Sequence, residues 1–390
     1  MPELAEASAR RALTVLLVFI NNPNSISPGA GDPRFSTLLG VGLELQRRGH
    51  TVLIDGAGSI SWPRYKSYPK DRSVDLLRPF PWLPRSGVDV DVAIIWFNYA
   101  ADVHTSKHPL VLKILRNSSL PRLVYENGMT RGSVTVDPMG LLGDSFYVPT
   151  LNARAQQVED DDACKAHVQQ QLARDMSKRP QPTGVIDVPS STLSRYVFIP
   201  TQKFDDVSVM RYSTFTYPQL LFEATKFCQA HGLPLVIKIH PHLQGKERAA
   251  QEQLIAKLRG QYAQVFESNA SINFLTANAH FTVTLNGGTI MDNLRTQSPV
   301  LSLARGLFQD TDAVVTRPSP DASLQSSMRR MHHKELPWSE ERRKRARQLL
   351  CWYEQNSLHV NSTPAANVAV LQGHLEALAT VNELARLVKL

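Results

Sequence analysis

Leu13-Thr-Val-Leu-Leu-Val-Phe-Ile20 is an unbroken β-rich apolar run near the start of the sequence. Without polar alternation it predicts a strand covered on both faces, as in a parallel sheet, rather than one with a solvated side. Outward from it, a loop of Asn, Pro, Ser and Gly follows. Apolar residues then recur at helical spacing through Leu38, Leu39, Val41, Leu43 and Leu45, and Arg47-Arg48-Gly49 supplies terminal charge and a glycine stop. His50-Thr-Val-Leu-Ile-Asp55 predicts a second strand. Strand, helix and strand within about 45 residues form a βαβ unit, whose loops at the carboxyl ends of the strands are open to ligands.

The alternation continues with a strand at Val92–Phe97, a short helix at Pro109–Arg116 and a strand at Arg122–Tyr125 that ends in Glu126-Asn127-Gly128. Residues 62–84, rich in proline and aromatics, read as a long surface loop facing a substrate. Over residues 156–193 the composition shifts to Gln, Asp, Lys, Pro and Ser, which predicts a linker. Beyond it strands are predicted at 196–200, 235–239, 264–266, 280–285 and 299–303, with helices between them, and the tail from Ser339 reads as helical. The expected organisation is an α/β chain: a Rossmann-like acceptor domain (1–155), the linker (156–193), a Rossmann-like nucleotide-sugar domain (194–338) and C-terminal helices (339–390) packing back across the domains. Two such domains would face one another across a cleft.

A chain of 390 residues is long enough for two cores, and 42% apolar with 20% charged residues is a globular composition. The 43 Lys and Arg against 35 Asp and Glu leave +8, which permits an anionic partner without choosing one. Cys164, Cys228 and Cys351 are odd in number and widely spaced, which argues against a disulfide framework or a thiolate zinc site. No apolar run approaches the roughly 20 residues of a membrane span. A cytoplasmic protein is expected, associated peripherally with the inner face of the cytoplasmic membrane.

Four loops carry candidate chemistry. Lys238-Ile-His240-Pro241-His242 follows a buried strand, where a lysine and a histidine can be aimed at a phosphate; incidental loop histidines, or metal binding by His240 and His242, are the other readings. Thr284-Leu285-Asn286-Gly287-Gly288-Thr289 passes from strand to helix through two glycines that let a ligand approach the backbone, with Asp292 one turn in, in reach of a ribose hydroxyl; an ordinary Asn-Gly turn is the bland alternative. Gln202-Lys-Phe-Asp205-Asp206-Val-Ser208 places adjacent carboxylates in a loop, able to supply a nucleophile or a base, or simply solvated. Glu126-Asn127-Gly128, Arg131 and Asp137-Pro138-Met139-Gly140 end the first domain's last strand. The Arg342–Arg347 run reads as a solvated helix face rather than a nucleic-acid site, and His332-His333 as a pair with no evident partner.

Taken in order, these loops resemble the bacterial capsule-polysaccharide synthesis family, the retaining β-Kdo transferases of the KpsC, KpsS and WbbB type. The resemblance covers about residues 122 to 305 and implies a GT-B-like fold. It further implies transfer of β-Kdo from CMP-β-Kdo to a glycan or lipid-linked acceptor, with no metal or other cofactor required. Residue by residue, it makes Asp206 the nucleophile with Asp205 the fallback, and Glu126 the acid/base. His240, Lys238, Pro241, Gln202, Ser208, Asn286, Gly287, Gly288, Thr289 and Asp292 become donor-site residues, and Asn127, Gly128 and Arg131 line the acceptor side. The chain departs from the family in carrying Gly287-Gly288 in place of hydroxyl residues, Asp292 in place of Glu, and a single acid in Glu126-Asn127. Two other readings stay open: a GT-B-like transferase using another nucleotide sugar or a CDP-polyol, and a non-catalytic glycan-assembly protein.

Overall fold

The computed structural model describes residues 12–18, 33–55, 89–96, 120–140, 142–178, 180–183, 187–192, 195–204, 206–241, 243–316, 323–333 and 338–382. Loop 62–84, the expected helix at 109–116, Asp205 and His242 lie outside them. The chain divides into two compact units, one of Met1–Gly128, Gly132–Leu141 and Asn356–Leu390, the other of Met129–Arg131 and Leu142–Gln355.

The first unit begins with β1 (Thr14–Val18), α1 (Pro33–Arg47), β2 (Thr51–Asp55), β3 (Val92–Trp96), β4 (Arg122–Asn127) and β5 (Ser133–Asp137). β1 runs parallel to β2 on one side and β3 on the other, and β3 runs parallel to β4. Val15 and Leu17 pack with Val52, Ile54 and Ile94, while Leu16 packs with Leu53, Ala93 and Ile95. Both faces of β1 are thus covered, as its apolar run requires. β5 runs antiparallel to β4 and pairs Glu126 with Thr135 and Asn127 with Val134.

The second unit holds α2 (Leu151–Gln156), α3 (Asp162–Ala173), β6 (Val197–Pro200), α4 (Val207–Tyr212), α5 (Tyr217–His231), β7 (Leu235–Lys238), α6 (Gly245–Gln261) and β8 (Val265–Glu267). It continues with α7 (Ile272–Asn278), β9 (Phe281–Thr284), α8 (Thr289–Thr296), β10 (Val300–Ser302), β11 (Val315–Thr316), α9 (Leu324–His332) and α10 (Glu340–Gln355). Its sheet is parallel throughout, in the order β8-β7-β6-β9-β10-β11. Counted within the unit, that is 3-2-1-4-5-6, the Rossmann order, and the winding reverses between β6 and β9. Every residue of β6, β7 and β9 is buried. α5 shows how local sequence sets the boundaries: Thr216 and Gln219 form a capping box, Pro218 stands in the first turn, and Gly232 closes the helix in the left-handed region.

The chain then returns to the first unit with β12 (Ser357–His359), antiparallel to β5, and α11 (Pro364–Asn382), whose Val368, Leu371 and Leu375 join the core of Leu38, Val41 and Leu45. Three expectations change. The tail carries a strand as well as helices, because three residues suffice to add an edge to β5. The segment 156–193 contains helix α3, started by Asp161, whose side chain accepts the Cys164 amide at 2.8 Å, and it belongs to the second unit. Cys164 and Cys351 are disulfide-bonded, joining α3 to α10 across 187 residues of sequence. Such a separation leaves no local signal; only the packing of the two helices creates the pair. No helix among the described residues is long and apolar enough to cross a membrane.

Candidate functional site

At the switch point of the second sheet, the carboxyl ends of β6 and β9 deliver two loops to one place. From β6 the chain continues into Thr201 and Gln202. The Thr201 amide donates to the Lys238 carbonyl at 2.8 Å, and its hydroxyl donates to Gln251 Oε1 at 2.6 Å. Gln251 in turn donates from Nε2 to the Gln202 carbonyl at 2.8 Å. This buried pair fixes the loop, so that the Gln202 side chain lies against Gly287 with its Oε1 accepting from the Tyr217 hydroxyl at 3.2 Å. Burial pushes the Tyr217 phenol well above the usual range, a Thr284 hydrogen bond opposing and the Asp206 charge reinforcing the shift, so it stays a neutral donor.

From β9 the chain reaches Asn286, which is 1% exposed and donates from Nδ2 to the Ser208 carbonyl at 3.0 Å, while its Oδ1 has no partner among the described residues. Gly287 follows at φ +97°, a conformation open to glycine, and a Cβ there would stand 2.7 Å from Gln202 Nε2. Gly288 is the N-cap of α8 and offers no side-chain cap; the Ile290 amide donates to the Gly287 carbonyl at 3.2 Å, and the amides of Gly288 and Thr289 stand at the helix end. Across this helix end lies Lys178, its Cδ 3.8 Å from where a Gly288 Cβ would sit. The sequence reading missed Lys178 because it stands in the presumed linker, with no periodicity to mark it. Tyr217 was legible only as a helix start.

Asp206 is the N-cap of α4. Its Oδ1 accepts the Ser208 amide at 2.9 Å and the Ser208 hydroxyl at 2.6 Å. Thr201 also organises the histidine loop, its Oγ1 accepting the His240 amide at 3.3 Å, and His240 is partly exposed with Pro241 beyond it in solvent. The structure thus brings Gln202, Asp206, Ser208, Asn286, Gly287, Gly288 and Thr289 to one end of one sheet, with His240 on the neighbouring strand's end.

Two expected ligand contacts are corrected. Lys238 is buried and its Nζ donates to the carbonyls of Ala270 at 2.7 Å and Asn269 at 3.2 Å, and desolvation lowers its pKa. It ties β7 to the segment before α7 instead of facing a phosphate. Asp292 is also buried, with Arg295 Nη1 donating to its Oδ1 at 2.7 Å; burial raises its pKa against the pull of Arg295. Its carboxylate is taken up within α8 by Arg295 and is not placed for a ribose.

In the first unit, Glu126 and Asn127 are half-buried at the end of β4, and the Gly128 amide donates to the Ser133 carbonyl at 2.9 Å. A side chain on Gly128 would run into Ser133. Asp137 Oδ1 accepts the amides of Met139 at 2.8 Å and Gly140 at 3.0 Å, so this aspartate makes a turn. Arg131 belongs to the second unit, its amide donating to the Met176 carbonyl at 3.1 Å and its guanidinium 3.6 Å from Asp175. Among the described residues no group of three or more His, Cys, Asp or Glu could hold a metal ion.

No family model matches the chain, and neither does any curated protein. Among solved structures it is similar to KpsC of Thermosulfurimonas dismutans, a β-Kdo 2,7 transferase, at 14% identity over 82% of this chain and 89% of that one, with a TM-score of 0.43. It is similar to the UDP-GlcNAc 2-epimerase of Methanocaldococcus jannaschii at 11% identity, covering 87% and 99% of the two chains, with a TM-score of 0.33. An α,α-trehalose-phosphate synthase of Burkholderia xenovorans matches at 14% identity, 86% and 71% coverage and a TM-score of 0.37. Function has to be argued from the residues at the switch point.

Proposed function

We propose that this chain is a glycosyltransferase that binds a nucleotide-activated sugar at the switch point of its second sheet, and that it moves β-Kdo from CMP-β-Kdo, with retention, to a glycan or lipid-linked acceptor. The observation that carries the reading is the 3-2-1-4-5-6 strand order with a glycine loop and an uncapped helix end at its reversal. The CMP phosphate sits at the amides of Gly288 and Thr289, beside the Lys178 ammonium, and Gln202 and Asn286 fix the nucleotide's polar groups. His240 donates to the departing phosphate. These groups supply the charge that a divalent cation supplies in other transferases.

In this reading Asp206 attacks the anomeric carbon through Oδ2, since Oδ1 is occupied by Ser208. The bond from that carbon to the CMP oxygen breaks, and CMP leaves with the electron pair. The acceptor hydroxyl then displaces the carboxylate, giving its proton to a base, and two inversions restore the β configuration. The resemblance assigns the base to Glu126. Asp205 is the alternative nucleophile.

The test is incubation of the chain with CMP-Kdo, UDP-sugars and CDP-glycerol in parallel, followed by mass spectrometry of nucleotide and protein. CMP released from CMP-Kdo alone, with a sugar adduct on Asp206, is the expected result. Release only from a UDP or CDP donor would replace the donor, and an adduct on Asp205 would move the nucleophile. No release from any donor would overturn the transferase reading.

A further inference from the structure

His332-His333, which has no partner in the sequence reading, acquires two in the fold. His231 is the last residue of α5, His332 the last of α9, His333 caps α9, and His280 stands immediately before β9. His280 Nε2 and His332 Nδ1 are 3.2 Å apart. The His332 ring lies 4.8 Å from that of His231 and 5.0 Å from that of His333, and His231 and His333 are 5.9 Å apart. Phe227 of α5 walls the group, 4.4 Å from His231 and 5.9 Å from His332.

A hydrogen bond between two imidazole nitrogens needs a proton on one and a lone pair on the other, so His280 and His332 cannot both be cationic and keep it. The groups that face His332 are His280 from the turn before β9, His231 from α5, Arg195 from the segment before β6, and His333 from its own helix end. All four are cationic or become so on protonation. The carboxyl ends of α5 and α9 favour a cation, but burial and this cationic surround prevail, and they hold His332 down at about 4.

The same helix pair is joined elsewhere by apolar packing of Leu324, Met328 and Met331, and by Gln325 Nε2, which donates to the Glu223 carbonyl at 2.8 Å. The histidine cluster is therefore the titratable part of an otherwise permanent contact. We propose that His332, hydrogen-bonded to His280 and set against the rings of His231 and His333, is a proton-operated latch that holds α9 against α5 while its imidazole is neutral and loosens α9 when it is protonated. It is independent of the transferase reading.

The sign follows from linkage. His332 is depressed in the folded state below its ordinary 6.5, so between those values the opened state binds more protons. The latch is closed above pH 6.5 and opens as the pH falls towards 4. From pH 7 to pH 5 the shift of this one residue favours opening by about twentyfold.

The test is hydrogen exchange of the full chain followed by mass spectrometry, with protection factors corrected for the intrinsic pH dependence of exchange. Peptides covering 324–332 should lose tenfold or more in protection between pH 7 and pH 5, while peptides from β7 keep theirs. His332→Leu should remove the pH dependence of the α9 peptides. Unchanged α9 protection in the unmodified chain would overturn the latch, whether or not the variant folds. So would an equal loss in β7, which marks global acid unfolding, or an undiminished pH dependence in a folded His332→Leu chain.

Discussion

The carboxamide of Gln202 lies directly over the α-carbon of Gly287, so that a methyl group added to Gly287 would stand 2.7 Å from Gln202 Nε2. The two residues come from the ends of β6 and β9, the strands between which the winding reverses. Gly287→Ala therefore meets two penalties, a side chain at φ +97° and a displaced Gln202, together about 1–3 kcal/mol of stability. It should also weaken CMP binding tenfold or more in calorimetry. Gly288→Ala is the contrast. Its backbone is right-handed and its new methyl meets Lys178 at 3.8 Å, so stability should stay within about 0.5 kcal/mol.

Asp206 combines a helix cap with the proposed nucleophile, and two substitutions separate the roles. Asparagine caps as well as aspartate, so Asp206→Asn should leave the melting temperature nearly unchanged, whereas Asp206→Ala should cost about 1 kcal/mol. Both should lower sugar transfer by at least about a thousandfold while CMP still binds, because only the chemical step uses the carboxylate. Wild-type turnover in Asp206→Asn would remove it as nucleophile.

The two lysines of the second unit should separate in the opposite sense. Lys178→Met removes a cation beside the uncapped end of α8 and should weaken CMP binding about tenfold with little change in melting temperature. Lys238→Met strips the buried Ala270 carbonyl, and the Asn269 carbonyl beside it, of their donor and should cost about 1–3 kcal/mol of stability. Equal effects on affinity would show that both ammonium groups face the ligand.

The Cys164–Cys351 disulfide ties α3 to α10, and a bidentate ion pair in which Arg347 donates to Asp160 at 2.8 and 2.6 Å ties α10 to the segment just before α3. Reduction by a dithiol, or Cys351→Ser, should lower stability by about 2–4 kcal/mol. Arg347→Ala should cost about 3 kcal/mol by leaving Asp160 unpaired in a largely enclosed position. The Arg347 guanidinium holds Asp160 below its ordinary 3.8. The pair's contribution is therefore complete above that value and is lost as the pH falls through the lowered one, which acid titration of the variant against the parent will show.

Periodicity alone determined the α/β class, the parallel strands and the helices between them. Val15, Leu16 and Leu17 announce burial on both faces through their own composition, and the Thr216–Gln219 capping box is written within four residues. The glycine loop at 286–289 was also legible, whereas Asp206, read as a loop carboxylate, proves to be a helix cap bonded to Ser208. Tertiary structure alone decided which polar side chains remain available to a ligand. Lys238 and Asp292 look like binding residues in one dimension and are consumed by Ala270, Asn269 and Arg295 in three. Lys178, hidden in an apparent linker, has its side chain brought against Gly288 at the helix end. The partners of Cys164 and His332 were equally invisible, at separations of 187 and 52 residues. Local sequence sets backbone conformation and burial because those depend on near neighbours, whereas the partner of a charge, a thiol or an imidazole depends on which distant segments the folded sheet and its helices set side by side.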